Sequence, residues 1–308
     1  MSTPRIGIGL PVYNGGRFLA ETLDSLLAQT FGDFELIISD NASTDSTEEI
    51  CHSYARRDKR IRYVRNEANH GLAANYRGVL DASSCEYFRW ANSDDLFAPE
   101  SLARCAEVLD RDPGVVLTYP KTRLIDAHGA VIGEYEDGLH LVSTLASDRF
   151  IQACERLGLV HVYYGLVRTS VLKRTRLIRP FPGGDVPLVA ELALYGKFWE
   201  IPEVLFYRRL HPWALSNSTE AQRQEAFDPR RTGRPPLRMS KTLLAHVASV
   251  LRAPLGARER AALLLFLARS AIWSRGTLAR EIWDAMRCAA TRNGRSEARQ
   301  AEYDDLGC

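Results

Sequence analysis

Two periodicities alternate over the first 120 residues, and that alternation limits the fold more than any other feature. Ile6, Ile8 and Leu10 alternate with Gly7, Gly9 and Pro11, the two-residue period of a strand with one bulky face. Phe18, Leu19, Thr22, Leu23, Leu26 and Leu27 then recur at helical spacing. The exchange continues with a strand over Phe34 to Ile38 that ends in Ser39-Asp40, and a helix opened by Asp45-Ser46-Thr47-Glu48. Strands follow at Ile61 to Val64, Tyr87 to Ala91 and Val115 to Tyr119, separated by helices from Gly71 to Ala82 and from Pro99 to about Asp112-Pro113. Repeated units of this kind predict an α/β fold, a mainly parallel sheet flanked by helices. Ligands of such sheets bind beyond the carboxyl ends of the strands. The polar clusters Tyr13-Asn14, Asp40-Asn41 and Asn92-Ser93-Asp94-Asp95 fall at those ends.

Beyond residue 120 the pattern loosens. Gly183-Gly184-Asp185 leads into a helix carrying Leu188, Leu192 and Leu194, and Phe198 to Phe206 reads as strand. The chain therefore divides into a sheet domain over 1–215, a polar linker over 216–236 and a helical region over 237–308, with Pro254-Leu255-Gly256 as a break. The helical region carries apolar stripes with interspersed Arg. Such stripes suit packing on the sheet domain or a homodimer, and a basic amphipathic helix also suits peripheral contact with an anionic membrane.

A net charge of +2 argues against a nucleic-acid partner. The six cysteines, Cys51, Cys85, Cys105, Cys154, Cys288 and Cys308, lack paired metal spacing and read as buried thiols of a reducing compartment. Arg5 is followed at once by a strand pattern, and the apolar run Ala261 to Ala268 is too short to span a bilayer. The expected location is cytoplasmic, with the inner membrane face as the place of any peripheral contact.

Asp94-Asp95 follows an apolar strand. Hard cations bind one or two carboxylates and complete their shell with phosphate oxygens and water, so the pair suits Mg²⁺ or Mn²⁺ on a diphosphate. Taken alone it reads more readily as a helix-capping pair. Asp40 can accept a hydrogen bond from a base N–H or a ribose hydroxyl, or close an Asx turn with Asn41 and Ser43. The Tyr13 ring can stack on a base or lie half-buried.

Three stretches closely resemble the opening of family-2 glycosyltransferases: Pro11-Val12-Tyr13-Asn14, Ser25 to Glu35, and Asp40-Asn41-Ala42-Ser43-Thr44-Asp45. Asn69-His70-Gly71 and Asn75 resemble the next signature, and Asp94-Asp95 falls where the metal motif belongs. Further on, Gly196 to Glu203 resembles the family's Gly-x-x-x-x-Ile-Pro-Glu strand, and Tyr207-Arg208-Arg209-Leu210-His211 its Tyr-Arg-x-x-His segment. The resemblance covers roughly residues 4 to 212 and implies a GT-A fold and an inverting, non-processive transfer that needs Mn²⁺ or Mg²⁺. Its implied donor is a UDP-, dTDP- or GDP-sugar, and its acceptor a hydroxyl of a glycan, a lipid-linked molecule or a small molecule. By position Pro11, Tyr13, Asp40, Asn69 and Asn75 would contact the donor, Asp94 the ribose or the metal, Asp95 would be the main metal ligand and His211 the second. Arg208 or Arg209 would offset phosphate charge.

Inverting transfer needs a base for the acceptor's proton. Asp185, just before its helix, is the candidate, with Glu191 in reserve. Two departures stand out: Asn92 where many relatives begin Asp-x-Asp-Asp, and Ala74 where they often carry Arg. They leave open a non-catalytic protein that binds the same donors. A sugar nucleotidylyltransferase is disfavoured, since the first loop lacks a Gly-rich basic phosphate cradle. A polysaccharide synthase is disfavoured by the missing Gln-x-x-Arg-Trp motif.

Overall fold

The computed structural model describes residues 3–231, 235 and 237–288. Its elements run β1 (Ile6–Val12), α1 (Leu19–Leu27), β2 (Phe34–Asp40), α2 (Thr47–Arg57), β3 (Ile61–Arg65), α3 (Leu72–Asp81), β4 (Tyr87–Trp90), β5 (Leu96–Phe97), α4 (Ser101–Arg111), β6 (Val115–Ile125) and β7 (Val131–Tyr135). They continue as α5 (Ala146–Arg156), β8 (Leu166–Arg168), α6 (Thr169–Leu172), α7 (Val186–Tyr195), β9 (Lys197–Arg209), α8 (Glu220–Phe227), α9 (Arg238–Arg252) and α10 (Ala257–Trp273). Helical backbone resumes over 275–288.

The strands form one sheet in the order β3-β2-β1-β4-β8-β6-β9-β5, with β7 beside β6. β3, β2, β1 and β4 are mutually parallel, as are β6 and β9; the short β8 joins the two groups antiparallel to each. Every residue of β1 is buried, as expected for a parallel strand covered on both faces. Gly9 serves that covering. A Cβ there would come 2.6 Å from the Val79 side chain on α3 and 2.5 Å from the Phe88 ring, so the missing side chain lets helix and sheet close together.

Two expectations from the sequence change. The strand expected over Val115 to Tyr119 runs on to Ile125, and Pro120 is tolerated because the β6–β9 register shifts beside it. The region 216–236 is not wholly linker: it holds α8, capped by a reciprocal box between Thr219 and Gln222, and a 3₁₀ turn at Pro229–Arg231. The C-terminal helices are continuous with the main core, to which they contribute Val250, Ala253, Leu255, Leu263 and Leu267; α9 packs on α7, and α10 on α5. Residues 289–308 of the expected helical region lie outside the described residues.

Candidate active site

The carboxyl ends of β1, β2 and β4 open on a cleft of about 1100 Å³, lined among others by Tyr13, Asn75, Asp94, Asp185, Arg208 and His211. Residues far apart in the chain meet here because the parallel strands end at one edge and β9 returns antiparallel to β5.

That last pairing gives the two adjacent carboxylates different surroundings. Leu96 pairs with Tyr207, which brings Asp95 opposite Arg208. Asp95 is fully buried, and its oxygens accept from Arg208 Nη1 over 2.7 Å and from the Arg209 N–H over 3.0 Å. Burial pushes its carboxyl up to about 6 against the opposing charge of Arg208. Asp94 faces the cleft instead, its Oδ2 lying 3.1 Å from His211 Nε2. Burial works to raise the Asp94 carboxyl, but the His211 hydrogen bond and the Arg208 charge outweigh it and leave Asp94 below the usual range. Asp95 thus lies beneath the cleft floor, already engaged, whereas Asp94 and His211 line the cleft. Arg209 is buried as well, donating to the Asp94 carbonyl over 3.0 Å and to Glu21 over 2.6 Å.

Asn92 links this pair to a cluster of phenols. Its Oδ1 accepts from the Tyr76 hydroxyl, and its Nδ2 donates to the Tyr164 hydroxyl and, over 3.3 Å, to Asp95 Oδ2. Tyr163 donates to Tyr164 in turn. Burial holds the Tyr163 and Tyr164 hydroxyls well above their ordinary value, so the network stays protonated.

The donor-side residues divide. Tyr13 is half exposed at the cleft, and Pro11, Asn69 and Asn75 also line it. Asn75 donates to the Ser39 carbonyl over 2.9 Å, tying α3 to the end of β2; Asn69 Oδ1 accepts from Asn41 over 2.7 Å and from the Gly71 N–H over 2.9 Å. Asp40 does not line the cleft. It is fully buried, accepting from the Ser43 N–H over 2.8 Å and the Tyr63 hydroxyl over 2.9 Å. The turn alternative describes its surroundings, because an apolar strand end favours a carboxylate whose bonds are met by the protein.

Asp185 lines the cleft at the N-terminus of α7 and accepts from the Val186 N–H over 3.1 Å; burial raises its carboxyl. Gly183, at φ +81°, leaves room for Arg238, whose Nε would stand 2.7 Å from a Cβ at 183. Glu191 lies elsewhere, buried and accepting from the Arg176 N–H over 3.0 Å, so the reserve base does not line the cleft.

Sequence reasoning missed two parts of the wall. Arg17 stacks 3.6 Å over the Trp213 ring, and Trp213 with α8 residues Gln222, Arg223 and Phe227 lines the cleft. The first left no local signal. The second was signalled by Thr219-Glu220-Ala221-Gln222, a capping-box pattern inside polar sequence.

Residues 8–133 match the model of glycosyl transferase family 2. An uncharacterized glycosyltransferase of Rickettsia typhi is 36% identical over 125 residues, which are 40% of this chain and 38% of the relative. This chain therefore spans well under half of that relative's length. Among solved structures, S. aureus TarS 1-349 in complex with UDP matches with a TM-score of 0.62 at 19% identity, over 88% of this chain and 73% of that one. The mannosyltransferase PcManGT from Pyrobaculum calidifontis, in complex with GDP-Man and Mn²⁺, matches with a TM-score of 0.51 at 18% identity, over 95% and 88%. The architecture is that of the GT-A glycosyltransferases, a curled, mainly parallel sheet between helices.

Proposed function

We propose that this chain, which carries a glycosyltransferase family 2 domain on a GT-A fold, moves one sugar from a nucleotide-diphosphate-sugar donor to a hydroxyl acceptor with inversion. The observation that carries the reading is that Asp94, His211 and Asp185 line one cleft at the carboxyl edge of the sheet. Related folds crystallised with UDP and with GDP-Man and Mn²⁺ support a nucleotide-sugar donor and a divalent cation.

Asp94 Oδ2 and His211 Nε2, 3.1 Å apart, supply one carboxylate and one imidazole, a donor set that fits Mn²⁺ or Mg²⁺ with phosphate and water completing the shell. Bound there, the cation would offset charge on the departing diphosphate. Among the described residues His211 Nδ1 has no hydrogen-bond partner, so the imidazole lacks the outer acceptor that usually orients a metal-binding histidine, which makes Asp94 the stronger ligand. Asp185 takes the proton from the acceptor hydroxyl as its oxygen attacks the anomeric carbon, and the bond from that carbon to the diphosphate breaks on the opposite face. A carboxyl raised by burial suits this role. Arg208, which also lines the cleft, joins Asp94 to the buried Asp95 and so holds Asp94 in place.

The test is release of nucleoside diphosphate from a panel of UDP-, dTDP- and GDP-sugars with Mn²⁺ or Mg²⁺. Metal-stimulated release from one donor, abolished in Asp185→Asn while that variant still binds the donor, is expected. Donor binding without turnover on any acceptor would replace this reading with a non-catalytic one.

A further inference from the structure

We propose that the C-terminal helices seat the protein on an anionic lipid surface, through exposed apolar residues set among excess basic charge. The proposal does not depend on the transfer reaction. Inner faces of α9 and α10 are accounted for: Val250, Leu263 and Leu267 join the core. Their outer faces are not the polar backs of solvated helices. Leu244 is 68% exposed and Leu251, seven residues on, 56%; Leu265 and Ile272, also seven apart, are 53% and 61% exposed. Seven residues are two helical turns, so each pair lies on one side of its helix. Trp273 is 88% exposed and Trp283, in the helical stretch 275–288, 58%. An indole left in water at both places is what a headgroup boundary would cover, with its apolar ring inward and its N–H outward.

Charge selects the occupant. Residues 238–288 hold nine Lys or Arg against three Asp or Glu, whereas the whole chain nets only +2. Two of the three acids are engaged locally: Glu281 accepts from the N–H groups of Met239 and Ser240 over 2.8 and 2.9 Å, and Glu259 from that of Ser147 over 3.1 Å. Of the bases, Arg238 lines the cleft and Arg252 pairs with Glu191, while Arg258, Arg269, Arg275 and Arg280 are exposed on these helices, so a second copy would set like charge against like. An anionic bilayer attracts the same face. No described helix is long and apolar enough to cross a membrane, so the seat is a surface one.

Co-sedimentation of the full chain with vesicles tests this, comparing phosphatidylcholine alone with phosphatidylcholine containing roughly one third phosphatidylglycerol. The bound fraction should favour the anionic vesicles by about tenfold or more and fall as salt is raised. Trp273→Ser/Trp283→Ser should lose about tenfold in that binding with an unchanged melting temperature, since both rings are exposed. Leu244→Ser/Leu251→Ser should weaken it independently. Equal or absent binding to the two vesicle types would overturn the proposal. So would anionic binding that neither pair of substitutions alters, or a solution dimer that the Trp substitutions dissociate.

Discussion

Asn92 Nδ2 stands 3.3 Å from Asp95 Oδ2 and donates to it, while the carbonyl of the same amide accepts from Tyr76. An amide offers both a donor and an acceptor from one planar group. A carboxylate at 92 would have no N–H to give and would set a second negative charge against one already buried. Asn92→Asp is therefore expected to lose about 1–3 kcal/mol of stability near pH 8. Much of that should return near pH 5, as one carboxyl of the new pair takes a proton. Melting temperature against pH reads this directly; a loss of equal size at both ends would trace the effect to packing instead.

Arg208 is the counter-charge of a fully buried carboxylate, and removing it strands Asp95. Arg208→Met should cost about 3–5 kcal/mol at neutral pH. The direction with pH follows from Asp95. Its folded carboxyl sits at about 6, above the ordinary 3.8, so its contribution to stability is full at low pH and is lost as pH rises through 6. Loss of the Arg208 charge raises that carboxyl further. Denaturant unfolding should thus show the Arg208→Met deficit growing above about pH 6 and shrinking near pH 5.

Because Asp94 and His211 face the cleft while Asp95 does not, substitutions at the three positions should separate. Asp94→Ala is expected to lower metal-stimulated turnover by about a hundredfold or more with little change in melting temperature. His211→Ala should cost about tenfold and raise the Mn²⁺ concentration needed for half-maximal rate. Asp95→Asn should show mainly as lowered stability. A wild-type melting temperature in Asp95→Asn, joined to lost metal response, would return the ligand role to Asp95.

Asp137 lies buried near the segment that carries His161, and burial holds its carboxyl up to about 7 despite the nearby N–H groups of His161 and Val162. A folded value above the ordinary 3.8 means that ionisation opposes folding, so stability falls as pH rises through 7. Asp137→Asn keeps the shape and cannot ionise. Its melting temperature should exceed that of the wild type near pH 8–9, and the gap should close near pH 4. A thermal scan across that range decides it.

Much of the parallel half of the sheet was legible, because β1 to β4 and the helices between them are built from local periodicity. The carboxyl-edge location of the site followed from topology alone. What stayed hidden depends on long-range register. Asp94 and Asp95 are neighbours of equal chemistry, and only the pairing of Leu96 with Tyr207, more than a hundred residues away, decides which one meets Arg208. The surroundings of Asp40 were hidden for a related reason: its partner Tyr63 comes from the next strand. The short strands β5 and β8 carry too few residues to show a period. At α8, polar composition outweighed a legible cap at Thr219.

Gly71 opens α3 at φ +86°, where a Cβ would stand 2.7 Å from the Phe227 carbonyl oxygen and 2.8 Å from Pro229 Cδ. Phe227 and Pro229 belong to the wall that faces the strand ends across the cleft. The span between those two walls is therefore gauged by a methyl group that is not there. Any side chain at position 71 would act as a wedge, driving the α8 wall outward, so the site's aperture is calibrated from a residue that takes no part in its chemistry.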